Sequence, residues 1–103
     1  MLSSSSFVIV SRHGATPAYC REYLRGLGVE DVDSVVHIAG NATEDDVRGK
    51  IVVGNVPMHL GALALEVHAV EYPAFPPRGA EYSIEDMIAA GVRVSVYVIS
   101  RKD

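Results

Sequence analysis

The sequence predicts an α/β fold: a largely parallel sheet of about five strands with helices on both faces. Short runs rich in Val and Ile recur along the chain and alternate with segments of helical spacing. This order is typical of crossover connections between parallel strands. The chain has 103 residues, of which 49% are hydrophobic and 21% charged, and this suits one domain with one modest core. We therefore predict a single domain over residues 7–103.

The first predicted strand covers residues 7–10 and leads through a turn into a helix. We expect Thr16 to cap this helix and Pro17 to take its first position, where the missing N–H costs nothing. Apolar side chains then recur at helical spacing, and Gly28 provides a stop signal. A strand, a tight turn and a helix in this order present side chains and backbone N–H groups to a ligand such as phosphate.

The middle of the chain predicts two further strands, over 34–39 and 50–53. The polar segment 40–49 between them is predicted to be a loop, with a helical turn at 44–47. The second of these strands turns into a helix predicted over 58–65. That helix is apolar on nearly every side, so we expect it to be buried or to lie in a subunit interface.

The last third of the chain predicts a fourth strand, a loop, a short helix and a final strand. The fourth strand covers 67–72. The segment 73–79 has three prolines within five residues, which excludes regular structure. Ser83 and Asp86 have the spacing of a capping box at the start of a helix. Residues 92–98 alternate between apolar and polar, which predicts a half-exposed final strand.

Charge and cysteine content exclude several classes of protein. The formal net charge of -4 argues against a protein that coats long nucleic acids, since such proteins carry a basic face. Cys20 is the only cysteine, which rules out an intrachain disulfide and a cysteine-based zinc site. The histidines lie on separate predicted elements without metal-ligand spacing, so we expect neither a metal nor a cofactor.

The N-terminal leader is short and rich in serine. It has no positively charged segment and precedes only a four-residue apolar run, so we expect neither a signal peptide nor a membrane span. We predict a disordered tail over residues 1–6. A reducing cytoplasm is the expected location.

Polar residues that could carry chemistry follow three of the predicted strands. In open α/β sheets, ligands bind at the carboxyl ends of the strands, so these residues are candidates for one shared site. They are Ser11, Arg12, His13 and Gly14 after the first strand, Gly54, Asn55, Pro57 and His59 after the third, and Arg78 and Glu81 in the proline-rich loop.

Arg12 and His13 are the candidate catalytic residues. Arg12 can clamp a phosphate through two parallel hydrogen bonds, and His13 can act as general acid or base near neutral pH. The alternative is a plain turn in which both side chains only cap the helix and neighbouring carbonyl groups.

The other polar residues also admit structural interpretations. Asn55 either contacts ligand or caps the second helix. His59 is either a ligand contact near a helix start or a core residue of an apolar helix. His37 lies inside an apolar strand, where a hydrogen-bonded structural role is expected. His68 is expected to be structural or to face solvent at a strand start.

The sequence Arg12-His13-Gly14-x-Thr16 after an apolar strand resembles the signature of the histidine phosphatases. That resemblance implies a phosphohistidine at His13 and a phosphate clamp at Arg12. The match covers only about ten residues. The family also needs a second catalytic histidine after a later strand, a helical lid and a longer chain, which this sequence does not offer.

A second resemblance extends over most of the chain. In order and spacing, four blocks resemble a small accessory family of type III CRISPR loci, the sixteenth of the Csx series. The blocks are Ser11-Arg12-His13-x-Ala15, Lys50-Ile51-Val52-Val53-Gly54-Asn55-Val56-Pro57-Met58-His59-Leu60-Gly61-Ala62, Arg78-Gly79-Ala80-Glu81-Tyr82-Ser83-x-x-Asp86-Met87 and Gly91-Val92-Arg93.

This resemblance implies a Rossmann-like ring nuclease that linearises a cyclic oligoadenylate, with cyclic tetraadenylate as the expected ligand, and so ends an antiviral signal. The implied mechanism is metal-independent: a ribose 2′-hydroxyl attacks the adjacent phosphorus. A ligand with internal symmetry suits a two-fold homodimer, and the apolar helix at 58–65 would fit its seam. A sponge that binds the same nucleotide without hydrolysis is the alternative that the sequence leaves open.

Overall fold

The computed structural model describes residues 2–11, 16–72 and 83–103. Within these ranges the chain forms five strands, four α-helices and two short 3-10 turns at Ser4–Ser6 and Val32–Ser34. The strands are β1 (Phe7–Val10), β2 (Val36–Ile38), β3 (Ile51–Gly54), β4 (Glu66–Glu71) and β5 (Arg93–Tyr97). The helices are α1 (Thr16–Leu27), α2 (Glu44–Val47), α3 (Met58–Gly61) and α4 (Ile84–Ala89).

The five strands form one sheet in the order β2-β1-β3-β4-β5. The pairs β1–β2, β1–β3 and β3–β4 are parallel, with Val8 opposite both Val36 and Val52. The edge strand β5 runs antiparallel to β4, with Val70 opposite Val94. This confirms the predicted α/β class with a largely parallel sheet, and it is consistent with a Rossmann-like fold.

Side chains along β1 alternate between two buried clusters. Ile9 belongs to a first cluster that includes Cys20 and Leu24 of α1 and Met87 of α4. Its neighbour Val8 belongs to a second cluster that contains residues of α2 and α3, Val47 and Leu60 among them. Because successive side chains of a strand point to opposite faces, the two clusters lie on opposite sides of the sheet. Helices on both faces of the sheet stay a prediction.

Local helix signals are confirmed at two places. Thr43 caps the helical turn α2 and Asp46 bonds back to the Thr43 N–H, which completes a capping box. Ser83 and Asp86 make the same reciprocal pair at the start of α4. For α1, Thr16 is the first helical residue, where the sequence predicted a cap. Such one-residue differences are usual at helix ends.

The prediction of a long apolar helix over 58–65 is wrong. α3 is a single turn that ends at Gly61, and Met58 and Leu65 are exposed. The cause is a competing pairing. The Leu65 N–H donates to the carbonyl of Lys50 at 2.8 Å, and the Gly49 N–H donates to the carbonyl of Leu63 at 3.2 Å. These bonds draw the segment after α3 back towards the start of β3 and end the helix.

The part of the leader that the structure describes has a defined conformation. Leu2 forms a parallel bridge with Val29, and residues Ser4–Ser6 make a 3-10 turn. The Lys50 ammonium donates to the Ser5 carbonyl at 2.6 Å. The disordered tail over residues 1–6 and the single domain over 7–103 stay predictions. No helix among the described residues is long and apolar enough to cross a membrane.

Candidate functional site

A cleft of about 620 Å³ opens at the carboxyl ends of β1, β2 and β3. This volume lies within the range of small-molecule sites. Its lining comes from the end of β1, from the loops that follow the other two strands and from α3, and includes Val10, Ser11, Asn41, Asn55, Pro57 and His59.

The position of the cleft follows from the strand order. β1 lies between β2 and β3. β1 continues to α1, which packs in the first cluster, and β3 continues to α3, which packs in the second. The chain thus leaves two adjacent strands towards opposite faces, which makes the crevice between their ends the usual ligand site of such folds.

Gly54 allows the two strands to approach closely at this point. Its φ is +125°, and a Cβ there would stand 2.1 Å from the carbonyl oxygen of Val10. The next residue, Asn55, donates its backbone N–H to that same oxygen at 3.0 Å. The predicted site residue Gly54 is therefore needed for its missing side chain, and it sets the direction in which Asn55 leaves β3.

Asn55, Pro57 and His59 all line the cleft and are exposed to solvent. Asn55 does not cap α3, since the cap position belongs to Pro57 and has no side-chain hydrogen bond. His59 lies within α3 and faces the cleft, so its core-residue alternative is wrong. The structure brings these three predicted residues together on one wall.

Ser11 also lines the cleft and is buried. Its N–H donates to the carbonyl of Ile38 at 3.2 Å, and its own carbonyl accepts a hydrogen bond from His37 Nε2 at 3.0 Å. These bonds join the ends of β1 and β2. The second bond gives His37 the structural role that the sequence predicted. Because a carbonyl oxygen only accepts hydrogen bonds, Nε2 of His37 carries the proton.

His68 lies outside the cleft and is buried. Its Nδ1 is 2.7 Å from the Tyr23 hydroxyl and its Nε2 is 3.0 Å from a Glu66 carboxylate oxygen. Burial, together with the negative charge of Glu66, raises the pKa of Tyr23. His68 thus links α1 to β4. The solvent-facing alternative is wrong and the structural one holds.

Five predicted site residues lie outside the described residues. They are Arg12, His13 and Gly14, which directly follow Ser11, and Arg78 and Glu81 of the proline-rich loop. Ser11 is the point at which the described cleft meets the Arg12-His13 segment in the sequence.

The sequence analysis missed the loop after β2. Gly40, Asn41 and Ala42 line the cleft beside the β3 loop. The signal was present, since the second predicted strand is parallel to the first and its carboxyl end lies at the same edge of the sheet. The missed contribution is Asn41, whose side chain carries an amide.

The described lining combines two amides, a hydroxyl, an imidazole and apolar side chains, with no carboxylate, ammonium or guanidinium group. Such a surface can hold an uncharged polar group or a flat apolar ring. Among the described residues, no group of three or more His, Cys, Asp or Glu side chains could hold a metal ion. Comparison of the chain with protein-family models, curated proteins and solved structures gives no match.

Proposed function

We propose that the protein binds a cyclic oligoadenylate, cyclic tetraadenylate, in this cleft and cleaves it without a metal ion. The observation that carries the proposal is the cleft at the carboxyl ends of β1 and β3. Ser11, which lines this cleft, directly precedes Arg12 and His13 in the sequence. Support also comes from the sequence resemblance to the type III CRISPR accessory family. Cleavage of this ligand would switch off an antiviral signal.

Different parts of the ligand would contact two kinds of surface. The amides and apolar walls of the described cleft suit the nucleoside part. The Arg12-His13 segment would meet the phosphate, because a guanidinium forms paired hydrogen bonds to phosphate oxygens. A ring with internal two-fold symmetry would be shared by equivalent clefts of a homodimer. The protomers in this proposal are cytoplasmic.

The proposed chemistry is an internal displacement at phosphorus. The ribose 2′-oxygen forms a bond to the adjacent phosphorus and the bond from phosphorus to the 5′-oxygen breaks. The 2′-hydroxyl proton is lost to a base, and the 5′-oxygen gains a proton, which gives a 2′,3′-cyclic phosphate and a 5′-hydroxyl. Arg12 stabilises the charge on the phosphoryl oxygens and His13 transfers a proton. His59 is a second imidazole at the cleft.

The test is incubation of the protein with cyclic tetraadenylate in EDTA, followed by chromatography. Linear products ending in 2′,3′-cyclic phosphate are expected. Intact but tightly bound ligand would instead support the sponge, and absence of both would overturn binding and cleavage together. Hydrolysis of p-nitrophenyl phosphate that requires His13 would favour the histidine phosphatase interpretation.

Variants assign the roles. We expect Arg12→Ala and His13→Ala to abolish turnover, with the larger loss of binding for Arg12. His59→Ala should weaken binding or turnover, whereas Met58→Ala should change neither. Met58 is the matched control because it precedes His59 in α3, is 80% exposed and does not line the cleft. Wild-type cleavage by both the Arg12 and the His13 variant would refute the site assignment.

A further inference from the structure

We propose that Ile99 is a positioning residue for the cleft and acts through Gly61. Ile99 follows β5 and packs into the second cluster. Two other members of that cluster, Val56 and Leu60, line the cleft. The side chain of Ile99 therefore belongs to the same packed group as one wall of the site.

Gly61 is the point of contact. A Cβ at position 61 would stand 2.7 Å from Ile99 Cδ1, 3.3 Å from Val67 Cγ2 and 3.7 Å from Val56 Cγ2. Its φ is not among the positive values, so the position needs glycine for space and not for backbone conformation. Ile99 occupies that space, and Val56 borders the same space.

α3 depends on such contacts to keep its place. It has four residues and one helical turn, and a single turn is unstable without tertiary packing. His59 lies on this turn and Pro57 caps it. In this proposal, Ile99 holds α3 in place, and with it the wall that carries Pro57 and His59.

The test compares Gly61→Ala with the double variant Gly61→Ala/Ile99→Val. Valine lacks the Cδ1 atom that the new methyl group would meet, so the double variant restores the space. Gly26→Ala is the matched control, because Gly26 lies in α1 and nothing stands within 4 Å of its added Cβ. NMR signals of the Asn55 side-chain amide and the His59 ring report the cleft without any ligand.

Gly61→Ala should shift these signals, the double variant should return them to their wild-type positions, and Gly26→Ala should leave them unchanged. Val70→Ala removes packing in the first cluster, so it should lower stability without shifting them. Unchanged signals in Gly61→Ala would overturn the proposal. If Gly61→Ala does not fold, Ile99→Ala decides: shifted cleft signals support the proposal and unchanged ones overturn it.

A second measurement rests on the proposed function. The dissociation constant for cyclic tetraadenylate should rise about fivefold in Gly61→Ala, as expected for coupling through packed side chains, and should recover in the double variant. If the wild-type protein does not bind this nucleotide, the proposed function fails while the NMR comparison still decides the role of Ile99. If it binds and Gly61→Ala has wild-type affinity, the role of Ile99 fails alone.

Discussion

The backbone of Gly54 passes so close to Val10 that a Cβ on Gly54 would stand 2.1 Å from the Val10 carbonyl oxygen. That oxygen also accepts the Asn55 N–H at 3.0 Å. One carbonyl thus fixes where β3 ends and where the cleft begins. The obstacle to a side chain at position 54 is a backbone atom, which cannot rotate away.

Gly54→Ala should therefore lower the free energy of unfolding by more than about 2 kcal/mol, since it adds a clash to a backbone angle that disfavours alanine. Urea denaturation measures this change. Gly40→Ala is the matched control: Gly40 also lines the cleft, but nothing lies within 4 Å of its added Cβ. Equal stability of the two variants would contradict the argument.

The hydrogen bond between Tyr23 and His68 should contribute to the free energy of unfolding, although Tyr23 is only partly buried. Tyr23→Phe leaves the buried His68 Nδ1 without its partner at 2.7 Å, which should cost about 1–3 kcal/mol. Tyr19→Phe is the control, because the described residues offer its hydroxyl no hydrogen bond. A loss in Tyr23→Phe no larger than in Tyr19→Phe, measured by thermal or urea unfolding, would show that the bond contributes little.

Glu71 should make the stability depend on pH at the acid end. Its carboxylate accepts hydrogen bonds from Ser95 at 2.5 Å and Tyr97 at 2.6 Å and lies 3.5 Å from Arg93 Nε. The Ser95 and Tyr97 hydrogen bonds, with the charge of Arg93, lower the pKa of Glu71 from 4.5. Because the pKa of Glu71 is lower in the folded chain than in the unfolded chain, the charged carboxylate stabilises the fold at any pH above the unfolded-state pKa. This stabilisation is lost as the pH falls through the folded-state pKa.

Glu71→Gln should consequently be less stable than the wild type at pH 7, and the difference should shrink at pH 3. Urea unfolding at the two pH values measures it. Glu85→Gln provides the control, since the Glu85 side chain makes no hydrogen bond among the described residues. A difference that is the same at both pH values would mean that the charge of Glu71 is not what stabilises the edge strand.

Cys20 should react only when the chain opens. The residue is fully buried, and burial raises the pKa of its thiol from 9.0 to about 12, so very little of the thiol is in the reactive thiolate form. We expect negligible labelling by a thiol reagent in the native protein at pH 8 and complete labelling in urea. Rapid labelling without denaturant would mean that α1 detaches readily from the sheet.

Features that depend on local sequence were predictable. The first strand, the helical turn at Glu44–Val47 and the capping box of Ser83 and Asp86 rest on residues within a few positions of each other. The extent of the helix from Met58 was not, because hydrogen bonds to Lys50 and Gly49 end it. Those bonds form only when the chain has folded back on itself, so helical periodicity contains no sign of them.

The candidate site was also predictable only in part. Asn55, Pro57 and His59 were found from the rule that ligands bind at strand ends, and they do line one cleft. Asn41 was missed because its loop has no motif of its own. The antiparallel direction of β5 was also missed, since alternation of apolar and polar residues predicts a strand but not its direction.

The direction of β5 also bears on the order of events during synthesis. The loops that surround the cleft are made early, whereas Ile99 comes only after β5 has reversed the chain beside β4. Contacts between residues far apart in sequence are slow to form. During synthesis, every described residue of the cleft lining is therefore made before the side chain that we propose supports one wall, and the cleft would reach its final shape only after β5 has paired with β4.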